Sequence, residues 1–177
     1  MWIDEVLKFW FEELQPTARF TKDAALDAQI RTRFERFHGQ LSRGEIQVPN
    51  TPRAYLAAVI VLDQFSRNMF RGTVKAFASD TKALEFASRA LDAGFDREMT
   101  KEQRQFLYLP FMHSEELSIQ TRCVELFGAL EDPELMRYAT EHRDIVERFG
   151  RFPHRNAALG RESTPPEIDF MQKHAGF

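Results

Sequence analysis

The sequence predicts an all-α protein of about seven to nine helices, arranged as stacked antiparallel hairpins. Apolar residues recur at spacings of three and four along most of the chain, which is the helical period. Capping boxes and prolines at first helical positions mark several helix starts. Sustained two-residue alternation and Asn-Gly or Asp-Gly hairpin turns are both missing from the sequence. Because 177 residues fit one domain, we predict a single all-helical domain over residues 1–177.

The N-terminal helices follow from their apolar stripes. The spacing predicts a helix over Asp4–Leu14, which Pro16 closes, and a second over Thr21–Leu41. Thr51 and Pro52 then form an N-cap followed by proline at the first helical position. The nine apolar residues Ala54–Leu62 predict a buried central helix, with a buried strand as the alternative for so short a run.

The C-terminal half has equally distinct helix signals. Pro110 is expected to kink or break its helix just before Phe111. The segment Arg151–Ser163 has no periodic pattern, and a long ordered loop of this kind is often functional. The predicted helices are Asp80–Ala93, one opened by the capping box Thr100–Gln103, one over Ser118–Leu130, one from Asp132 and Pro133 to Phe149 and Gly150, and one opened by the capping box Thr164–Glu167.

Composition narrows the class of protein. The net charge of −3 and the pI near 6.0 argue against a general nucleic-acid binder. Cys123 is the sole cysteine, so an internal disulfide is impossible and a reducing cytoplasm is expected. The N-terminus lacks a signal-peptide pattern, and the apolar run Ala54–Leu62 is far shorter than the roughly 20 residues of a membrane span. We therefore predict a cytoplasmic protein without nucleic-acid or membrane partners.

Three polar segments stand out from ordinary helix packing. In the first, Asp63 follows an all-apolar helix, and a buried carboxylate is costly unless it is paired. Arg67, four residues on, is the nearest candidate partner, and Asn68 follows it. This pattern fits either a structural ion pair at a helix end or part of a binding site.

The second polar segment follows Pro110. His113 and Glu116 share a helix face, whereas Glu115 points elsewhere. His113 fits a metal ligand, a general base or a histidine hydrogen-bonded within the core.

The third polar segment is a basic loop after a helix whose apolar stripe includes His142, which is therefore expected to face the interior. Residues 148–161 contain four arginines and one histidine but no acid. Arginine suits planar, bidentate pairing with a carboxylate or phosphate. These arginines therefore either tie the loop to acids elsewhere in the chain or form an anion site.

Several known site chemistries are excluded by their motifs. A ferritin-like di-iron site needs two Glu-x-x-His pairs, and only Glu35 with His38 has that spacing. The His-Glu-x-x-His zinc motif, the Walker loop, Gly-x-Gly-x-x-Gly and Gly-x-Ser-x-Gly are all absent from the sequence. Cys123 lies on an apolar helical stripe and is expected to be an inert buried thiol. No cofactor is predicted.

The longest motifs resemble those of the DUF924 family of uncharacterised bacterial proteins. They are Val6–Phe11, Leu62–Gly72, Phe77 with Asp80, Phe106–Glu115, His142–Ile145, Arg148–Asn156 and Leu159–Arg161. The resemblance implies an all-α fold grouped with tetratricopeptide-like helical superhelices, and it implies no reaction. Two positions depart from the family pattern: Ser66 stands where Pro is usual, and Arg19-Phe20 where a Trp-Phe pair is common. The second departure removes an aromatic residue from the N-terminal region.

The coincidence of family motifs and polar segments predicts one shared polar site. The predicted ligand-binding residues are Asp63, Arg67, Asn68, His113, Glu115, His142, Arg151, His154, Arg155 and Asn156. We predict that they bind a small anion or an acidic group of a partner such as a peptide, with Arg151 and Arg155 holding the anion.

Two alternatives remain open at this point. The first is a hydrolase or transferase with His113 or His154 as general base, of which a metal-dependent version would use His113, Glu115 or Glu116, and His142. The second is a helical-repeat interaction scaffold with a peptide groove. We also expect phenylalanines beside the polar motifs to isolate the charged groups from water.

Overall fold

A computed structural model describes residues 1–174; residues 175–177 of the predicted domain lie outside the described part. The described residues form eight helices and no strand, which confirms the all-α prediction and its range of seven to nine helices. The helices are α1 (Trp2–Lys8, continued by a π-helical segment Phe9–Glu13), α2 (Ala24–Arg43), α3 (Pro52–Val59, continued by a π-helical segment Ile60–Phe65 and by Ser66–Met69), α4 (Asp80–Asp92), α5 (Lys101–Met112), α6 (Leu117–Gly128), α7 (Pro133–Phe149) and α8 (Pro165–Lys173).

The helix starts follow from the side chains that cap them. Asp23 accepts hydrogen bonds from the backbone N–H groups of Ala25 and Leu26 at the start of α2. Thr51 caps α3 in the same way, and Asp132 caps α7. The predicted capping boxes at Thr100 and Thr164 are both present. Local capping chemistry therefore sets these boundaries.

Pro110 does not end its helix. The α5 helix continues through Pro110 to Met112, so the break predicted before Phe111 as one of two outcomes is wrong, and the kink stays a prediction. Proline removes one N–H from the helix, and this residue lies in the last turn, where only a short stretch of helix follows it. The helix therefore tolerates the lost hydrogen bond.

The chain divides into two compact units. The first comprises Met1–Arg71 with Lys75–Pro110, and the second comprises Gly72–Val74 with the chain from Phe111 onward. The assignment of all residues to one domain stays a prediction. No helix of the described residues is both long enough and apolar enough to cross a bilayer.

Aromatic rings fill the core of the first unit around α3. Every residue from Ala54 to Phe65 is buried, which confirms the predicted buried helix. Phe65 lies 4.7 Å from Phe34 and 5.5 Å from Trp10 between ring centroids. Within this unit α3 packs against α1, α2 and α4. Phenylalanine suits this core because it buries a large apolar surface without a polar group to satisfy.

The second unit is built on the pair α6 and α7, which pack against each other. A four-residue connection joins these two helices, as in an αα-hairpin. A smaller apolar cluster joins the end of α7, the following loop and α8: Ile145, Val146, Phe152 and Phe170 are buried in it, with Phe149 and Met171 packed alongside. This cluster holds the long loop and α8 against α7.

Candidate functional site

The ten predicted ligand-binding residues divide between the two units. Asp63, Arg67 and Asn68 lie in the first unit, on α3. The other seven lie in the second unit: His113, Glu115, His142, Arg151, His154, Arg155 and Asn156. Each group is described within its own unit.

In the first unit, Arg67 links two carboxylates. Its Nη1 lies 2.9 Å from Oδ1 of the fully buried Asp63, which confirms the predicted pairing. The same guanidinium donates two hydrogen bonds to Asp80, from Nη1 to Oδ1 at 2.9 Å and from Nη2 to Oδ2 at 3.0 Å. Gln64 Nε2 donates to the other carboxylate oxygen of Asp63 at 2.5 Å. Burial lowers the pKa of Arg67, but Asp63 and Asp80 outweigh it and leave that pKa raised.

Asn68 belongs to a second paired group beside this one. Its Nδ2 donates to Asp27 Oδ1 at 2.8 Å, and Arg71 donates to both oxygens of the same carboxylate at 2.9 Å. Burial raises the pKa of Asp27, but the bonds from Arg71 and Asn68 lower it further. The polar residues at the end of α3 are thus bonded to protein groups.

In the second unit, Arg151 forms a bidentate ion pair with Glu167. Its Nε and Nη2 donate to the two carboxylate oxygens at 2.7 and 2.9 Å. The Glu167 side chain is 3% exposed and also accepts hydrogen bonds from the backbone N–H and the hydroxyl of Thr164. These bonds, led by that from Arg151, lower the pKa of Glu167 to about 2. Arg151 thereby ties the loop to the first turn of α8.

A second ion pair crosses from the loop to the segment after α5. Arg161 donates from Nη1 and Nη2 to the two oxygens of Glu115 at 2.7 and 2.9 Å. Glu115 also accepts a hydrogen bond from the Phe152 backbone N–H at 2.8 Å. Burial raises the pKa of Glu115, but Arg161 and this N–H lower it further. The buried Asn156 accepts from Arg161 Nε at 2.9 Å, so it belongs to the same network.

The remaining loop arginine and the histidines also contact protein groups. Arg155 Nη2 donates to the His113 backbone oxygen at 2.9 Å, and its guanidinium lies 4.7 Å above the Phe152 ring. His142 is buried, as predicted, and its Nδ1 lies 2.7 Å from the Tyr138 backbone oxygen. The ring of His142 is 6.4 Å from that of His113 between centroids. The bond from Arg155 holds the loop against the segment that follows α5.

Arg148 differs from the three other arginines of the loop region. Among the described residues its contacts are aromatic: the guanidinium lies 4.7 Å from the Phe149 ring centroid and 5.9 Å from that of Phe170. Its charge helps to lower the pKa of the nearby Asp169, but Lys173 is the group that hydrogen-bonds this carboxylate, at 2.8 Å. The Arg148 side chain is exposed to solvent.

Arg148 lines an open cavity of about 580 Å³ between α7 and α8. A volume of this size is typical of small-molecule sites. The cavity is lined by Arg137, Tyr138, Glu141, Asp144, Ile145, Arg148, Phe149, His154, Phe170, Lys173 and His174. Of the ten residues predicted from the sequence, His154 lines this cavity; it is exposed, and its Nε2 lies 2.9 Å from the His174 backbone oxygen.

Sequence reasoning missed three contributors to this region. Glu167 was identified only as a capping-box residue, yet it is also the partner of Arg151. Tyr138 and Phe170 lie on the apolar stripes of α7 and α8, where a core residue and a cavity wall have the same pattern. A signal for Glu167 did exist, because the acid-free loop requires carboxylates from elsewhere in the chain.

The metal-dependent enzyme alternative lacks a ligand set within residues 1–174. No group of three or more His, Cys, Asp or Glu side chains there is placed to hold a metal ion. Glu115, one of the ligands of that alternative, gives both carboxylate oxygens to Arg161. The use of His113 or His154 as a general base stays a prediction.

Comparisons with known proteins identify relatives without a known reaction. The model of the family described as bacterial protein of unknown function (DUF924) matches residues 6–175. A solved structure of a protein of unknown function from Agrobacterium tumefaciens is 40% identical, with a TM-score of 0.92 over 97% of each chain. None of the curated proteins matches the chain.

Proposed function

For this chain, which belongs to the DUF924 family of bacterial proteins of unknown function, we propose that the second unit binds a small molecule through an anionic group held by Arg148. The binding site is the cavity between α7 and α8. Guanidinium groups are well suited to this role because they present several N–H donors in a planar fork that matches a carboxylate or phosphate.

The observation that carries the proposal is the contrast among the four arginines. Arg151 and Arg161 each bond both oxygens of a glutamate, and Arg155 bonds a backbone oxygen. An anion at those positions would have to displace a protein acceptor. The contacts of Arg148 within the described residues are aromatic rings, so a ligand anion would displace no hydrogen-bonded acceptor among them.

The surroundings of Arg148 favour this role. The aromatic rings beneath its guanidinium lower the local dielectric, which strengthens a charged hydrogen bond relative to one in open water. Hydrogen bonds to charged groups contribute about 1.5–3 kcal/mol, and the lower end of this range applies here because Arg148 is exposed.

Calorimetric titration tests the proposal with inorganic phosphate, phenyl phosphate and benzoate as probes. We expect at least one probe to bind the wild type and Arg148→Gln to weaken that binding by about tenfold or more, as loss of 1.4 kcal/mol or more requires. Arg122→Gln is the control, because Arg122 pairs with Glu125 on α6 and is not among the cavity residues. Absence of binding by all three probes, or equal binding by both variants, would refute the proposal.

A further inference from the structure

The charged groups and aromatic rings that line the same cavity narrow the class of ligand. Their geometry points to an aromatic acid with a single negative charge. This inference rests on the proposed function and adds the number of charges and the nature of the uncharged part. Its evidence is the pairing of the other charged groups in the cavity and the chemistry of the cavity walls.

The first step concerns how many cations the cavity offers. Arg137 donates to Glu141 at 2.8 Å, and Lys173 donates to Asp169 at 2.8 Å. Both cations are therefore already opposed by a carboxylate. Arg148 interacts electrostatically with Asp169, but it is the cation of the cavity without a hydrogen-bonded carboxylate among the described residues. One such cation matches one anionic group.

The second step concerns repulsion. Glu141 and Asp144 also line the cavity, but each is paired with an arginine, Glu141 with Arg137 and Asp144 with Arg143, so they repel a further negative charge only weakly and leave it no cation. A like charge brought close to a carboxylate raises the free energy of the complex, and this discriminates against the wrong ligand. A polyanion such as a tricarboxylate would gain one pairing at Arg148, and its other charges would meet cations that already bond a carboxylate.

The third step concerns the uncharged part of the ligand. Phe149 and Phe170 have their ring centroids 5.1 Å apart, and His174 is stacked on Phe170 at 4.2 Å. Tyr138, which is 37% exposed, adds a further ring to the lining. Aromatic rings prefer offset-stacked or edge-to-face contacts with other rings, so these walls favour an aromatic ligand over an aliphatic one.

The cavity volume agrees with a ligand of this class. A cavity of about 150 Å³ holds one benzene ring. The 580 Å³ available here accommodates a fused pair of rings with a carboxylate and still leaves room for water at the open side. A planar aromatic carboxylate can place its charged end at Arg148 and its ring against the aromatic walls.

The test compares four probes by calorimetric titration: 2-naphthoate, cyclohexanecarboxylate, acetate and benzene-1,3,5-tricarboxylate. We expect 2-naphthoate to bind at least tenfold more tightly than acetate and severalfold more tightly than cyclohexanecarboxylate. The tricarboxylate is expected to bind no more tightly than 2-naphthoate. Arg148→Gln is expected to weaken 2-naphthoate about tenfold.

A second variant separates the ring contribution from the charge. Tyr138→Ala is expected to weaken 2-naphthoate severalfold and to leave acetate unchanged, because Tyr138 is partly exposed and its loss does not open the apolar cluster. Equal affinities for acetate and 2-naphthoate would overturn the aromatic inference while leaving the anion site in place. Tighter binding of the tricarboxylate than of 2-naphthoate would overturn the inference that the ligand carries a single negative charge. Failure of all four probes would overturn the inference of an aromatic carboxylate, and the anion site itself would fall only if inorganic phosphate and phenyl phosphate also failed to bind.

Discussion

Replacing Glu167 by Gln is the most informative perturbation of the loop network. The Glu167 carboxylate accepts two hydrogen bonds from Arg151 and two from Thr164, and its side chain is 3% exposed. Glutamine keeps the shape but turns one oxygen into an amide nitrogen. This nitrogen is a donor and must face another donor on Arg151 or Thr164. The variant therefore loses both the charge pair and part of the helix cap.

The expected cost follows from the burial of the pair. Removing one partner of a buried ion pair costs roughly 3–5 kcal/mol, because the other charge is left uncompensated. The Arg151 side chain is 27% exposed, so water compensates part of its charge and the lower end of the range applies. We expect Glu167→Gln to reduce the free energy of unfolding by about 3 kcal/mol. For a chain of this size this corresponds to a fall in Tm of about 6–12 °C.

Urea denaturation at pH 7, followed by circular dichroism, measures this loss. Glu125→Gln is the matched control, since Glu125 pairs with Arg122 on the surface and its side chain is 59% exposed. Exposed pairs contribute about 0–1 kcal/mol, so the control should lie close to the wild type. If both variants lost the same amount within about 0.5 kcal/mol, a typical surface-substitution effect, the ion pair would not stabilise the fold.

The same pair has a defined pH dependence. The pKa of Glu167 is lowered from 4.5 to about 2, chiefly by Arg151, so its stabilising effect is fully present above about pH 4.5. That contribution is lost as the pH falls through this window toward 2. The wild type should therefore lose more stability than Glu167→Gln between pH 5 and 2 in urea titrations. Parallel pH profiles for the two proteins would contradict the assigned pKa.

Two further predictions concern the first and second units separately. Asp63→Asn should lower the free energy of unfolding in urea denaturation by about 3 kcal/mol, the lower end for a broken buried pair, because Asp80 still pairs with Arg67. The control Asp4→Asn breaks an exposed pair with Arg53 and should leave the urea midpoint close to that of the wild type. Cys123 is fully buried, and burial raises the pKa of its thiol to about 12. Ellman's reagent at pH 8 should therefore label the folded protein far more slowly than the protein in urea. Equal labelling rates would contradict the burial of Cys123.

The sequence was a good guide to the helices because their signals are local. The caps at Thr51, Thr100, Asp132 and Thr164 each lie within three residues of the N–H groups they bond. The π-helical segments of α1 and α3 were not predicted. A π-turn shifts the period of the apolar stripe only slightly, and in an all-apolar run such as Ala54–Leu62 it leaves no visible change of pattern.

The polar site was harder to predict because its pairings are distant in sequence. The acid-free loop and its four arginines were evident from the sequence. The carboxylates that pair with two of these arginines are distant: Glu115 lies 46 residues before Arg161, and Glu167 lies 16 residues after Arg151. A single sequence carries no information on which of these charges meet. The pairing of Arg67 with Asp63 was predicted correctly because the two residues are close in sequence, four positions apart on one helix.

The arginines of residues 148–161 divide between the two roles that the sequence left open, one shown by the structure and one proposed for Arg148. Arg151 and Arg161 bind carboxylates and hold the loop and α8 in place, which is a structural role. That role also builds the cavity, because Phe170 and Lys173 of its wall lie on the helix whose first turn Arg151 anchors. Arg148 then supplies a charge at a wall fixed by the other two. If this coupling holds, Glu167→Gln should weaken 2-naphthoate binding at temperatures where the variant is still folded, although Glu167 does not line the cavity.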